Sequence, residues 1–255
     1  MYSDSIITGI SNFILFAIIL LIRKIVHKEG LKDFLIQFDK RAVRLFTEGF
    51  VLGTIGFLIY TVIVYLFGEG TYNYHTNALK NSLLLFLING IGCLAVALFE
   101  ESLFRGYILQ KLLKRFNVIK SIIISSLIFG GLHLFAYSSN YYFWIGLINA
   151  SIVGMLLSFI VIKTESLMMA VGFHLTWNLT QHILFLDNNV SISFNIKEGL
   201  LSGTYKVPEG GLVVSLALLV ISIYIFIKFK QEKKEGHYVN QYTTKKEKSE
   251  IEYSN

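Results

Sequence analysis

Three stretches of this chain, 6–22, 50–67 and 81–99, contain no Asp, Glu, Lys or Arg. Apolar runs of about this length read as membrane-spanning helices. Lipid offers a backbone amide no hydrogen-bond partner, so a chain at that depth closes its bonds internally, as helices do. Across the whole sequence 54% of residues are hydrophobic and 16% charged, which is too little charge for an ordinary soluble domain. Apolar runs at 6–22, 49–67, 82–110, 118–136, 142–162, 165–185 and 211–229 predict an all-α, polytopic helical bundle of about seven transmembrane helices. Residues 1–229 make one membrane domain. Residues 230–255 form a polar, charged tail without helical periodicity, expected to be disordered. The single cysteine, Cys93, excludes an internal disulfide, and the one proline, Pro208, falls in a loop, so no span is proline-kinked.

Charge gives the bundle a direction. Segment 23–48 holds seven Lys/Arg, 111–120 four and the chain from 228 seven, with Lys163 in a tight turn between two spans. The alternate connections carry only Lys80, Lys197 and Lys206. The excess of Lys and Arg marks the cytoplasmic face, placing the N-terminus outside and the C-terminus inside an integral cell-membrane protein. The net charge of +6 therefore has a membrane meaning, with lipid as the partner and no nucleic acid required. Asp4 near the start, and Arg23-Lys24 after the first apolar run, read as a retained span rather than a cleaved leader. Tyr137, Tyr141, Tyr142 and Trp144 suit an interfacial belt. Residues 32–44 mix basic and apolar side chains, as an amphipathic helix lying on the cytoplasmic leaflet or a solvated basic loop would.

Against this background Glu100, Glu101 and Arg105 are anomalous, because an ionised carboxylate at bilayer depth is expensive. Glu101 and Arg105 stand at i and i+4 and can pair as a structural clip. Glu100 is turned away by roughly 100° and lacks a local cation, so it is the carboxylate left for chemistry. His133 and His174 lie on two further spans. Counted from the basic flanks at about 1.5 Å per residue, Glu101, His133 and His174 sit roughly 15, 20 and 16 Å deep. His174, Asn178 and Gln181 share one helix face, and Gly130-Gly131 beside His133 permits close approach of a backbone or a substrate. Asn89 and Asn149 are candidate interhelical hydrogen-bonders. A lone Glu-Arg pair is often only a clip, and a lone intramembrane His only glue between helices. Five polar groups at one depth on three helices exceed what glue requires. A general base beside two imidazoles suits activation of water.

The segments Glu100-Glu101-Ser102-Leu103-Phe104-Arg105, Phe129-Gly130-Gly131-Leu132-His133 and His174-Leu175-Thr176-Trp177-Asn178 resemble the three motifs of the CPBP intramembrane proteases, the Abi or type II CAAX prenyl protease group. The resemblance covers roughly 80–190. It implies intramembrane peptide-bond hydrolysis with Glu100 as the base for the attacking water and His133 holding that water. His174 and Asn178 would steady the oxyanion, and Glu101 with Arg105 would fix the helix. A metal version, with zinc on His133, His174 and a carboxylate, stays open beside a metal-independent one. The family further implies peptide or protein substrates, here approached from the cytoplasmic side, and roles in prenyl-protein processing, in bacteriocin maturation or in immunity to bacteriocins. Two rival readings remain: a proton-coupled membrane transporter, and a catalytically idle scaffold or immunity protein of the same fold.

Overall fold

The computed structural model describes residues 2–28, 30–74, 82–135, 141–186, 192–204 and 207–234. Helix α1 (Tyr2–Ile22) runs on as a π-turn, Arg23–His27, and α2 spans Lys40–Leu66. Helix α3 (Ser82–Glu101) passes through a π-helical stretch, Ser102–Ile108, into α4 (Leu109–Leu113). There follow α5 (Val118–Leu132), α6 (Tyr141–Thr164), α7 (Met168–Gln181) and α8 (Leu212–Lys234). The fold is an all-α membrane bundle. Helical segments stand at each of the seven expected positions. Among the described residues five are long and apolar enough to cross a membrane: Ile6–His27, Lys40–Leu66, Phe86–Leu113, Phe143–Thr164 and Leu212–Gln231. Helix α5 is apolar but shorter, and α7 is 14 residues long before it turns π-helical at His182–Leu186.

Small residues bring α2 and α7 into direct backbone contact. A Cβ at Gly49 would overlap the Met169 carbonyl, one at Gly53 the Phe173 carbonyl, and one at Gly172 the Phe46 carbonyl. Thr176 closes the same seam by donating to the Phe50 carbonyl at 2.8 Å. Such glycine-lined seams substitute for the hydrophobic effect, which does not drive helices together in lipid. Around the seam Phe57, Tyr60, Leu157, Met169, Phe173, Phe185, Val214 and Leu218 form the core. Helix α5 meets α6 in a similar way, where Gly130 faces Ser151 and Gly154 faces Ser126.

Three features depart from the expectations. Residues 32–44 form neither an amphipathic surface helix nor a solvated loop. A 3₁₀ turn, Leu31–Phe34, leads into an extended link that buries Phe34 and Ile36, and Asp39 caps α2 by accepting from the Ala42 amide at 2.7 Å. The apolar side chains find the core more rewarding than the leaflet. Two short strands, β1 (Gly70–Tyr74) and β2 (Ile192–Ile196), pair antiparallel with Gly70 opposite Ile196, at the end of the bundle away from the basic turns. Helix α8 also continues beyond residue 230 to Lys234; residues 235–255, with most of the expected tail, lie outside the described residues, as does Tyr137. Trp144 is exposed, as an interfacial residue would be.

Candidate active site

The helix carrying Glu100 and Glu101 changes its winding immediately after them. In the π-helical stretch Ser102–Ile108 the i→i+4 ladder gives way to i→i+5 bonds, Leu109 N–H donating to the Phe104 carbonyl, and side chains add further donors to its carbonyls. Ser125 on α5 donates to the Phe104 carbonyl (3.3 Å), Gln110 to that of Arg105 (3.1 Å), and Arg23 to that of Gly106 (2.6 Å). Arg23 is buried, with its guanidinium 3.7 Å from the centroid of the Phe34 ring. A basic residue expected in a cytoplasmic loop thus braces the bulge that aims the acidic pair.

Glu101 is fully buried and Arg105 is 1% exposed. Arg105 Nη1 donates to Glu101 Oε1 at 2.9 Å, and its Nη2 reaches the Gly154 carbonyl at 3.4 Å. The same Glu101 oxygen takes His174 Nδ1 at 2.9 Å. Glu101 is therefore more than half of a clip, because it also orients the imidazole on α7. A carboxylate paired to a guanidinium only accepts hydrogen bonds, so the ring proton sits on Nδ1 and Nε2 is left for the pocket. His174 Nε2 stands 3.8 Å from Glu100 Oε2. That oxygen is buried and has no hydrogen-bond partner among the described residues, as is also true of Glu101 Oε2, Arg105 Nε and Ser126 Oγ.

Phe129 links the third motif residue to the other two. Its ring lies 4.4 Å from the Arg105 guanidinium, 4.7 Å from the His133 ring and 6.5 Å, edge-on, from the His174 ring. His133 caps α5, with Nδ1 2.8 Å from the Phe129 carbonyl. Asn178 is part-buried one turn beyond His174 on α7. The structure thus gathers Glu100, Glu101, Arg105 and His174 through direct contacts, and His133 through the shared Phe129 ring. Asn178 joins them by its place on the helix. Among the described residues no three His, Cys, Asp or Glu side chains converge closely enough to hold a metal ion. Zinc in a hydrolytic site takes three protein ligands; His174 Nε2 and Glu100 Oε2 stand 3.8 Å apart.

One further carboxyl has no motif to announce it. Glu209, on the 3₁₀ turn Pro208–Gly210 before α8, accepts from Trp177 Nε1 at 3.1 Å. Asn149 on α6 fixes the turn by donating to the Glu209 carbonyl (2.7 Å) and the Gly211 carbonyl (3.2 Å), and it accepts from Ser215 (2.7 Å). Asn149 is thus an interhelical hydrogen-bonder, as expected; Asn89 makes no such bond among the described residues. Burial pushes the Glu209 carboxyl above the usual carboxylate range, and the Trp177 N–H together with charge on His133 and His174 pulls the other way. Both histidines therefore lie within electrostatic reach of a third carboxyl.

Residues 79–180 match the family described as Type II CAAX prenyl endopeptidase Rce1-like. The match contains all three motifs and ends just beyond Asn178, short of Glu209. No curated protein and no solved structure matches the chain.

Proposed function

We propose, for a chain whose residues 79–180 belong to the Rce1-like type II CAAX prenyl endopeptidase family, an intramembrane endopeptidase in which Glu100 activates the attacking water. The observation that carries this reading is the chain Arg105–Glu101–His174, which leaves His174 Nε2 facing the unpartnered Glu100 Oε2 across 3.8 Å. A gap of that size suits one water bonded to both groups. Glu100 takes a proton from the water as its oxygen attacks the peptide carbonyl, and it returns that proton to the leaving nitrogen when the C–N bond breaks. With Nδ1 committed to Glu101, His174 presents Nε2 to the reacting atoms, and when the ring enters the cycle carrying a proton from solvent on Nε2 as well, that N–H donates to the oxyanion. Asn178 adds a second donor from the same helix face, and His133 holds the water from the opposite helix. Arg105 pairs with Glu101, and Glu101 keeps the imidazole turned.

The substrate in this reading is a peptide or protein segment reaching the site from the basic, cytoplasmic face of the membrane. The reaction needs no metal in this reading, and zinc on His133, His174 and a carboxylate is the alternative. The test is cleavage of quenched peptides, farnesylated and unmodified, by purified protein in lipid nanodiscs. The intact chain should cut and the Glu100→Gln form should not. If neither form cuts any peptide while the intact chain moves protons across liposomes in a Glu100-dependent way, the transporter reading replaces this one. If a cellular phenotype survives both Glu100→Ala and His133→Ala, the idle-scaffold reading does.

A further inference from the structure

Helices α2 and α8 are tied together at two levels. A Cβ on Gly56 would overlap Ile221 Cδ1, so the helices touch there. About two turns nearer the basic end of the bundle, Lys228 of α8 donates across the gap to Glu48 of α2. Along these ties runs a cleft of about 700 Å³, within the range of clefts that hold small ligands, about 300–1,000 Å³. Val51, Leu52, Ile55 and Ile59 line it from α2, and Val220 and Tyr224 from α8. Val51, Ile55, Val220 and Tyr224 are half-exposed, so the cleft opens on the lipid-facing side of the bundle. Val51 and Ile55 each lie two residues beyond a glycine of the α7 seam, about 200° further round the helix. The cleft is thus on the far side of α2 from His174.

Its chemistry changes along its length. The inner part is hydrocarbon. From Val51 to Ile59 the helix rises about 12 Å, close to the ~15 Å that one leaflet contributes to a core of about 30 Å. The outer end carries Arg44, Glu48 and Lys228. Glu48 is shared there: Oε2 takes Lys228, and Oε1 stands 3.7 Å from Arg44 Nε. Two cations against one carboxylate leave one net positive charge at the mouth. The Lys228 and Glu48 side chains are 22% and 31% exposed, whereas Arg44 is 70% exposed. The pair is set into the protein and the guanidinium stays accessible. An apolar slot one leaflet deep beneath a net cation is the complement of an acyl chain joined to an anionic phosphate, and basic pockets between spanning helices bind such headgroups. A second copy of the chain fits less well. Copies in one membrane share an orientation, so a two-fold contact here would set two cationic mouths at the same level.

We infer that the α2–α8 cleft binds one anionic phospholipid from the leaflet on the basic side, its phosphate beside Arg44 and Lys228 and an acyl chain along Val51, Ile55 and Val220. Neither helix lies within the matched residues 79–180, and the site does not depend on peptide hydrolysis. The test uses the full chain in nanodiscs of equal phosphatidylglycerol and phosphatidylcholine, each in turn carrying a diazirine on its acyl chain. After photolysis, adducts on segments 44–59 and 220–228 should form about 5-fold more with phosphatidylglycerol, the scale of one surface cation. Arg44→Gln with Lys228→Gln should erase that preference; Lys120→Gln, which removes an exposed cation on α5, should not. Glu48→Gln takes away the competing anion and should raise the preference about 5-fold further, a gain that loss of folding cannot imitate. Glu100→Gln, which stops cleavage in the protease reading, should leave the labelling as it is, so the two proposals fail separately. Equal labelling by the two lipids, a preference that survives the Arg44 and Lys228 substitutions, or adducts spread evenly over the lipid-facing helices would overturn the inference. So would an absence of adducts from those two segments, the result that a second copy seated in the cleft would give.

Discussion

Glu100 and Glu101 are chemically identical neighbours whose surroundings differ because one residue along a helix turns the side chain by about 100°. Glu101 shares a single oxygen between Arg105 and His174, so its charge is spent. Glu100 keeps a buried oxygen without a partner, so its charge is available. Glu100→Gln should therefore reduce cleavage by roughly 10²- to 10⁴-fold, the usual contribution of a positioned general base, with unchanged thermal unfolding. Arg105→Ala should instead cost stability, about 3–5 kcal/mol, because it strands a buried carboxylate; chemical denaturation in mixed micelles would measure this. Arg105→Lys should rescue little, since one ammonium cannot serve Glu101 and the Gly154 carbonyl while also keeping the guanidinium's contact with the Phe129 ring. Activity is expected to survive exhaustive chelation; loss that zinc restores would mean that zinc sits on His133, His174 and a carboxylate. The acidic pair and its arginine were legible because i,i+4 spacing is a local property. The bond from Glu101 to His174 was not, because it joins residues 73 apart in sequence.

At the scale of elements, two devices set the site's geometry: the π-helical stretch after Glu101 and the glycine seam between α2 and α7. Hydrophobic periodicity shows a span at each place but cannot show a change of winding, since a π-turn keeps the same apolar composition. The seam makes a sharp contrast among glycines. Gly49→Ala should destabilise the protein by about 1–3 kcal/mol, as overpacking does, because the added methyl meets backbone that cannot yield. Gly131→Ala should be tolerated, since a Cβ there meets nothing within 4 Å. A bulky Gly131→Leu should then lower cleavage while leaving the melting temperature alone, if the open space beside His133 admits substrate. The β1–β2 pair was invisible in the sequence for a similar reason. Neither five-residue strand declares itself, and their pairing depends on the ends of α2 and α7 being neighbours.

For the molecule as a whole, the alternation of basic and neutral connections predicts a cytoplasmic C-terminus and an external N-terminus. Impermeant thiol labelling of single cysteines at Asp4 and Ser249, in a Cys93→Ser background, should mark only the first in intact cells; labelling of the second would invert the bundle. Membrane residence, the helical class and the order of the three motifs were all readable from the chain, because lipid solvation imposes run length and charge bias on the sequence itself. Convergence was a matter for tertiary structure. Glu209 lies in a turn with no periodicity and no motif, and only the packing of α6, α7 and α8 around Asn149 brings it to Trp177. Arg23 counts in the sequence among the charges of segment 23–48, whereas the fold buries it as a donor to the Gly106 carbonyl. Solvent preference is a property that each residue carries by itself, so the sequence determined which segments enter the membrane. Contact between distant residues is a property of pairs, and only the assembled helices decided which acid would be neutralised and which imidazole nitrogen would face the pocket.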